Sequence, residues 1–492
     1  MNIGIPKAPR LQPNARFLEL SYGDLEEKNL ALKRDREEGH ANEYFKSKLI
    51  PELRRETGIK AVTVCFSDME GKLHMLDYNK KYLLDAEDNL TFDGSSIKGF
   101  TQQSHSDLRL KIDWSSFRWI PADIFGAGKV LLFASTCDEK GNLYAGDFRA
   151  HLMQLRDELR KEQEIAVHVA PEVEGFLLEG ENAEQSYDEK IGFTFATRGG
   201  YFHSLPQDKL RRFIDRLAEA TRAMGFENEK DHAEVAPSQF EMNYSYTDIL
   251  HAADQVQIYK ITARQIAKTN GFTACFLPKP VSGINGTGMH TNISLSRHGK
   301  NLFFDAGGKY RLSDRAHDFI SAILYYAKDL CLILNSSVNA YRRLDPHFEA
   351  PNQIKMSPSD RGSMIRIPIG NERSARIEVR TVAPDANPYL AFYALLKTGL
   401  EGMNADEKTK ELYKSLYNRS VKKLPGTIEE AISAFRRSSF IKKIMSDENS
   451  KKYLALKQAC ADRSPRELGK CVKNGEIWYH HEVCNQVIWN EF

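Results

Sequence analysis

Apolar and polar residues alternate in five stretches of this chain, a period of two that predicts β-strands with one face turned to a core. In Ile165-Ala166-Val167-His168-Val169-Ala170-Pro171-Glu172-Val173-Glu174 the odd positions are mostly aliphatic, while Glu172 and Glu174 share the opposite face. His232 and Glu234 stand two apart, and Gln239, Glu241 and Asn243 interleave with Phe240, Met242 and Tyr244. His290, Asn292 and Ser294 oppose Met289, Thr291, Ile293 and Leu295, and Arg376, Glu378 and Arg380 oppose Ala375, Ile377 and Val379. Solvated strand faces usually mix Thr, Lys and Ser with charges. These faces carry Glu, His and Arg instead.

Earlier in the chain, Val62, Val64 and Phe66 alternate, Asp68-Met69-Glu70-Gly71 makes a turn, and Leu73 and Met75 resume, which predicts a hairpin. Leu108, Leu110 and Ile112 predict a further strand, and Lys129 to Phe133 a buried one. Helical spacing marks Phe148 to Leu159, Lys209 to Met224, Ile249 to Asn270, Ala316 to Leu334 and Pro388 to Met403, and the tail after Asp406 reads as mainly helical around a loop at Leu424-Pro425-Gly426. Prolines at 6, 9 and 13 followed by a charged run through Glu38 predict an extended arm and then a solvated helix. The resulting division is an extension over 1–44, a small β-rich domain over 45–142, and a large domain over 143–492 with a helical tail.

A chain of 492 residues is too long for one typical domain, and 41% apolar residues suffice for a substantial core. With 69 basic against 67 acidic residues, no overall field favours nucleic acid or a membrane surface. No run approaches the ~20 apolar residues of a membrane span, and the proline-punctuated start is no secretory signal, so a cytoplasmic location is expected. Seven cysteines without a close C-x-x-C pair fit reduced thiols. The spacing of Cys460, Cys471, His480, His481 and Cys484 matches no familiar zinc pattern.

If the five polar faces converge, several carboxylates meet, and two of them ~5 Å apart repel by roughly 3 kcal/mol at an effective dielectric near 20. Divalent cations relieve that repulsion. Oxygen-rich donors with one imidazole suit magnesium or manganese better than zinc. Three loops add candidate chemistry. Phe92-Asp93-Gly94-Ser95-Ser96 forms a tight turn with a projecting carboxylate, and Gly283-Ile284-Asn285-Gly286-Thr287-Gly288 lets backbone approach a ligand but lacks a P-loop's Gly-Lys-Ser/Thr ending. The segment Tyr341 to Arg380 is dense in arginine, whose planar donor fork matches carboxylate and phosphate oxygens and so suggests phosphoryl chemistry.

These pieces together resemble glutamine synthetase of the bacterial class I type. The matching residues are Phe92-Asp-Gly-Ser-Ser-Ile97, Pro171-Glu-Val-Glu174, His232-Ala-Glu-Val-Ala-Pro237 with Gln239 and Glu241, Lys279-Pro280, and Asn285-Gly-Thr-Gly-Met-His290. Tyr341-Arg-Arg-Leu344, Glu349-Ala-Pro351, Arg361, Arg376-Ile-Glu-Val-Arg380 and Asn387-Pro-Tyr-Leu390 continue the match, which runs from about residue 59 to 403. The resemblance implies an α+β fold: a small N-terminal β-grasp domain, then a catalytic domain on a curved antiparallel sheet. It also implies a homo-oligomer, a dodecamer of two hexameric rings with active sites between subunits.

The resemblance further implies two or more Mg2+ or Mn2+ ions per site, one on Glu174, Glu234 and Glu241 and another on Glu172, His290 and Glu378. It places glutamate along Asn285 and Gly286, read by Arg343 and Arg380. ATP, the co-substrate, would meet Glu229, Asn292, Ser294, Arg366 and Arg373, with Arg361 at the phosphoryl group. Asp93 of a neighbouring subunit would deprotonate ammonium, and Glu349 on a flap would shield the γ-glutamyl phosphate intermediate. The expected activity is glutamine formation from glutamate, ammonium and ATP. The alternatives are a γ-glutamyl-amine (polyamine) ligase and a catalytically silent regulatory or structural relative. The chain departs from the family at Ala233, where many members carry a second histidine, and at Gly175, where an aromatic is usual. It departs again at Ser238 for glycine, Asn292 for a nucleotide-side histidine, and Arg373 for a lysine seen in some members. Tyr417 sits where some members are adenylylated but lacks the surrounding acidic and proline residues, so modification is not expected there.

Overall fold

The predicted strands sort into two sheets in the computed structural model, which describes residues 20–101, 103, 106–183, 192–203, 208–344, 350–415 and 422–463. In the first sheet, β1 (Ala61–Ser67), β2 (Leu73–Asn79), β3 (Leu90–Asp93), β4 (Asp107–Trp119) and β5 (Lys129–Cys137) take the spatial order β2-β1-β5-β4-β3. The expected hairpin is β1 against β2, with Val64 opposite Leu76, and β1 runs parallel to β5. Helices α1 (Tyr22–Glu37), α2 (Asn42–Arg55), α3 (Lys80–Asp85) and α4 (Ala122–Phe125) flank this sheet. On α2, Phe45, Leu49 and Leu53 recur every four residues, so one stripe is wholly buried in the core with Val62, Leu110 and Val130.

The second sheet is curled and has eleven strands among the described residues: β6 (Ile165–Glu179), β7 (Asn228–Ala233), β8 (Gln239–Tyr244), β9 (Thr247–Asp248), β10 (Phe272–Cys275), β11 (Met289–Arg297), β12 (Lys300–Asn301), β13 (Gln353–Ser357), β14 (Ser363–Arg366), β15 (Ile377–Val379) and β16 (Lys422–Lys423). Its main path is β16-β13-β14-β15-β11-β6-β8-β7, so all five alternating stretches belong to one sheet. Helices α5 (Phe148–Glu162), α6 (Lys209–Ala223) and α7 (Ile249–Thr269) cover its apolar side, sharing one core with Val169, Val173, Phe240, Met242 and Ile293. The remaining helices are α8 (Asp314–Tyr325), α9 (Ala327–Leu334), α10 (Val338–Arg343), α11 (Pro388–Asn404), α12 (Glu407–Lys414), α13 (Ile428–Arg437), α14 (Ser439–Met445) and α15 (Asp447–Asp462). Two sheets with segregated helices make the expected α+β architecture. No helix among the described residues is long and apolar enough to cross a membrane.

Two local expectations change. The helix predicted over Ala316 to Leu334 breaks at Tyr326, whose φ −92° and ψ 13° leave the helical region while its ring stacks on Phe440 at 3.6 Å. The charged helix α1 is not merely solvated, because Leu25, Asn29, Leu32 and Lys33 form a buried stripe. Half of that stripe is polar, which hid it from a hydrophobicity reading. Asn29 Nδ2 donates to the carbonyls of Trp119 and Ala223 at 2.8 Å each, and its Oδ1 accepts from Trp119 N–H at 3.0 Å.

A buried ion cluster ties the small sheet to the large domain. Arg149 on α5 donates Nε and Nη2 to Asp254 of α7 at 2.8 Å each, and Nη2 to Asp113 of β4 at 2.7 Å. Tyr389 Oη donates to Asp254 at 2.7 Å. Close to this seam, Asn387 Nδ2 donates to the carbonyls of Asp68 and Met69. Gly71 lies at φ +91° with room for no side chain, since a Cβ would stand 2.5 Å from Asn387 Cα.

Candidate active site

Strand register turns the period-two pattern into rows of opposed side chains. Across the sheet, His290 on β11 faces Glu172 on β6, Glu174 on β6 faces Glu241 on β8, and Glu241 faces His232 on β7. On the other side, Asn292 on β11 faces Glu378 on β15, which faces Arg366 on β14. Directly opposed residues share a face at ~5 Å, so antiparallel pairing alone concentrates the acids.

They line a cavity of ≈ 220 Å³ that also receives Asn285, Gly286, Arg343, Arg361, Arg366 and Arg380. Glu172, His290 and Glu378 offer donor atoms within 4.8 Å of one another, and so do His232, Glu234 and Glu241. His290 links the groups, with Nδ1 3.5 Å from Glu172 and 3.9 Å from Glu378, and Nε2 3.8 Å from Glu174. Glu174 is held by the Gly288 N–H at 2.9 Å and Gln239 Nε2 at 3.3 Å, while Gln239 Nε2 also donates to Gly286 O at 2.9 Å. Glu378 is fully buried and accepts from Arg366 Nε and Arg380 Nη1, each at 2.6 Å.

Burial without a compensating cation shows in the proton affinities. Burial, and then the Glu234 charge, push the Glu174 carboxyl up to about 8. Burial raises Glu241 well above the usual carboxylate range, with Glu174 and Glu172 adding to it. His290 is held well below the ordinary imidazole range by burial first and Arg380 next, so it is neutral, as a metal ligand must be. Carboxylates with raised proton affinity, beside a neutral imidazole, are what a divalent cation would relieve. The donor set therefore fits Mg2+ or Mn2+.

The glycine loop owes its path to close packing. A Cβ on Gly286 would stand 2.5 Å from Pro278 O and 3.0 Å from Arg343 Cγ, and one on Gly288 would meet Arg343 Nη2 at 2.5 Å. Arg343 is buried, donates to the carbonyls of Arg380 at 2.8 Å and Thr381 at 3.2 Å, and is lowered to about 10 by burial, so it stays charged at neutral pH. The adjacent Arg342 is exposed.

The departures have physical accounts. Gly175 leaves room behind the acids that two other rings occupy, since a Cβ there would lie 2.7 Å from Phe240 and 2.9 Å from Phe276. Ser238 adopts φ +59°, a region that favours glycine, and is held there because its hydroxyl accepts from Thr197 N at 2.8 Å and donates to Thr197 O at 3.2 Å. Asn292 bridges the site wall, donating Nδ2 to Glu172 at 2.9 Å and accepting Arg376 Nε at 3.0 Å. Ala233 is buried, so a larger ring would need space of its own.

Not every anticipated residue meets the others. Ser294 is half-buried farther along β11, Glu229 is exposed and accepts from Ser245 Oγ at 3.1 Å, and Arg373 lies beside Arg311 in a separate surface cavity. Asp93 stands on the small sheet, fully exposed, with Ser95 N–H and Oγ donating at 2.8 and 2.6 Å and Ser96 Oγ at 2.5 Å. Those hydrogen bonds, the Ser95 hydroxyl first, hold its carboxyl below the usual range. Glu349, Tyr417 and the tail positions Cys471, His480, His481 and Cys484 lie outside the described residues, and Cys460 is a buried thiol. Asn243 and Arg376, both on the expected polar faces, line the cavity too, Lys230 and Tyr201 line it without any sequence expectation, and His232 joins Glu234 and Glu241. Alternation places Lys230 in phase with His232, so the signal for it was present.

Comparison with known proteins agrees across the chain. Residues 58–138 match the glutamine synthetase β-grasp domain and residues 145–469 the glutamine synthetase catalytic domain. Glutamine synthetase of Methanosarcina mazei is 34% identical over 420 residues, covering 83% of this chain and 92% of the relative. That of Thermotoga maritima is 32% identical over 440 residues, covering 87% and 98%. Among solved structures, Plasmodium falciparum glutamine synthetase superposes with TM-score 0.76 at 21% identity, covering 88% of this chain and 98% of that one. A GmaS/ADP complex gives 0.71 at 23%, covering 89% and 99%, a likeness of fold alone.

Proposed function

The chain belongs to the glutamine synthetase family of ATP-dependent ligases, and from that premise we propose that it joins L-glutamate to ammonium at the expense of ATP through γ-glutamyl phosphate. The observation that carries this is the convergence of Glu172, Glu174, Glu234, Glu241, Glu378 and His290 in one cavity with five arginines on its walls. Those six residues, with His232 beside them, would hold two or more Mg2+ or Mn2+ ions. When bound, the ions supply charge neutralisation for the polyphosphate and Lewis acidity at the transferred phosphoryl group.

The chain's own residues do the positioning. Arg343 and Arg380 read the substrate carboxylates at the Asn285-Gly286 loop. Arg361 and Arg366 face the phosphates, where planar guanidinium donors match developing equatorial charge. The γ-carboxylate of glutamate attacks the terminal phosphorus of ATP, ADP leaves, and the acyl carbon becomes susceptible to an amine. Asp93, ionised at neutral pH by its serine hydrogen bonds, attracts ammonium and takes a proton as nitrogen attacks; inorganic phosphate leaves. Asp93 is not among the residues that line the cavity of its own chain, which supports a shared site, with Asp93 supplied by a neighbour in a dodecameric assembly. Glu349 would close over the intermediate and exclude water. Glu229, Asn292, Ser294 and Arg373 would meet the rest of the nucleotide. The division into an extension over 1–44, a β-grasp domain over 45–142 and a catalytic domain over 143–492 belongs to the same reading, as does a cytoplasmic location.

The test is ADP release with glutamate and magnesium or manganese, comparing ammonium with a panel of amines. Release dependent on ammonium, abolished in Glu378→Ala together with metal affinity, supports the proposal. Dependence on a polyamine would replace it with a γ-glutamyl-amine ligase, and no release with any amine would indicate a silent relative.

A further inference from the structure

A second cavity, of ≈ 440 Å³, lies where α1, the α1–α2 turn, β4, α5 and the start of α7 meet. Two of its walls, α1 and α2, precede residue 58, where the β-grasp match begins. Its lining includes Arg36, Lys111, Arg156, Arg160, Lys161 and His251. Of the five acids that also line it, Asp113, Asp157 and Asp248 are held in ion pairs, whereas Glu37 and Glu43 are exposed. Asp157 and Asp248 pair with Arg156 at 2.7 and 3.3 Å, Asp113 pairs with Arg149 at 2.7 Å, and Glu37 lies 3.8 Å from Lys33.

Four cations are left over. Arg36 makes one hydrogen bond, Nη1 to Ser115 O at 3.1 Å, and no ion pair, and Lys111, Arg160 and Lys161 have no carboxylate partner among the described residues. The Arg160 guanidinium lies against Gly39 in the turn, where φ is +85° and any Cβ would collide with it. Behind Arg36 sits Arg118, 2% exposed, whose charge opposes that of Arg36. His251 is 4% exposed; its Nδ1 approaches Asp248 at 3.2 Å and its Nε2 has no partner. Burial pulls the Arg36 guanidinium down to about 10, because Asp113 and Glu37 offset the burial only in part. Guanidinium groups without a carboxylate partner around a half-open cavity of this size suit an oxyanion.

We propose that this cavity binds a small multivalent oxyanion, a phosphate ester or a dicarboxylate, between Arg36 and the Arg160–Lys161 pair, with the N-terminal helices forming its wall. Thermal unfolding and titration calorimetry on the full chain, loaded with magnesium and ADP to occupy the catalytic cavity, test it with inorganic phosphate, glycerol 2-phosphate and succinate at constant ionic strength. Glycerol serves as the neutral control. Saturable binding of at least one anion is expected, weakened about tenfold or more in Arg36→Gln and in the exposed pair Arg160→Gln/Lys161→Gln, whose folding does not depend on those side chains. Preference for the phosphates identifies a phosphate ester, and preference for succinate a dicarboxylate. Binding of no anion, or equal binding to the wild type and the exposed double variant, overturns the proposal.

Discussion

Glu241→Gln should make the metal-free protein more stable while destroying its activity. Glu241 is 6% exposed, and burial together with the charges of Glu174 and Glu172 raises its carboxyl well above its ordinary 4.5. Folding without metal therefore favours proton uptake by Glu241, or else sets its charge against those of Glu174 and Glu172. Glu241 faces Glu174 across β8 and β6, and two carboxylates ~5 Å apart repel by roughly 3 kcal/mol at an effective dielectric near 20, which sets the scale of what the amide relieves. The sign is that of a raised acid: the folded state binds more protons than the unfolded state above 4.5, so stability falls as pH rises until the folded value is reached. The amide carries no charge and can still accept from Asn243 Nδ2, which lies 2.7 Å from the carboxylate now. In chelator, urea unfolding should thus favour the variant by about 3 kcal/mol, a gap that grows as pH rises above the ordinary carboxylate range. Saturating Mn2+ should close the gap, because ligand binding stabilises the wild type by about 3 to 4 kcal/mol at 100 to 1,000 times Kd. A variant no more stable than wild type in chelator, or a gap that shrinks as pH rises above 4.5, would refute the reasoning.

Arg149→Met should lower stability by about 3–5 kcal/mol, since it leaves Asp113 and Asp254 buried without their cation; an unchanged denaturation midpoint would show the cluster to be dispensable. Gly286→Ala should raise KM for glutamate by about tenfold, equivalent to ~1.4 kcal/mol, with little change for ATP, because its Cβ would press on Pro278 O and the Arg343 stem. Equal shifts for both substrates would disconnect that loop from glutamate. Asp93→Ala should leave the melting temperature in place, the residue being exposed, yet cut amide formation by about a hundredfold or more while glutamate-dependent ATP turnover persists. Loss of both together would make Asp93 structural.

Much of the site was legible because a strand repeats every two residues. Glu172 with Glu174, His290 with Asn292, and Arg376 with Glu378 and Arg380 had to share faces whatever their partners were. Burial stripes of wholly apolar residues, such as Phe45, Leu49 and Leu53, were equally visible. The docked face of α1 was not, because Asn29 and Lys33 make up half of it and their partners, the carbonyls of Trp119 and Ala223 for Asn29 and Glu227 for Lys33, lie far away in sequence. Resemblance assigned ligands one by one, but it could not report that His232, rather than Glu174, forms the tighter group with Glu234 and Glu241.

The sequence by itself determined which side chains point the same way within each strand, since that depends only on backbone geometry a few residues long. Which strands lie side by side was decided by the tertiary structure. The register of β6 against β8 and β11, and of β15 against β11 and β14, set the rows Glu174–Glu241–His232, His290–Glu172 and Asn292–Glu378–Arg366. Proton affinity followed from that, because burial and repulsion act through space: Glu174 and Glu241 are raised by burial, and then by neighbouring charges, that only folding brings about.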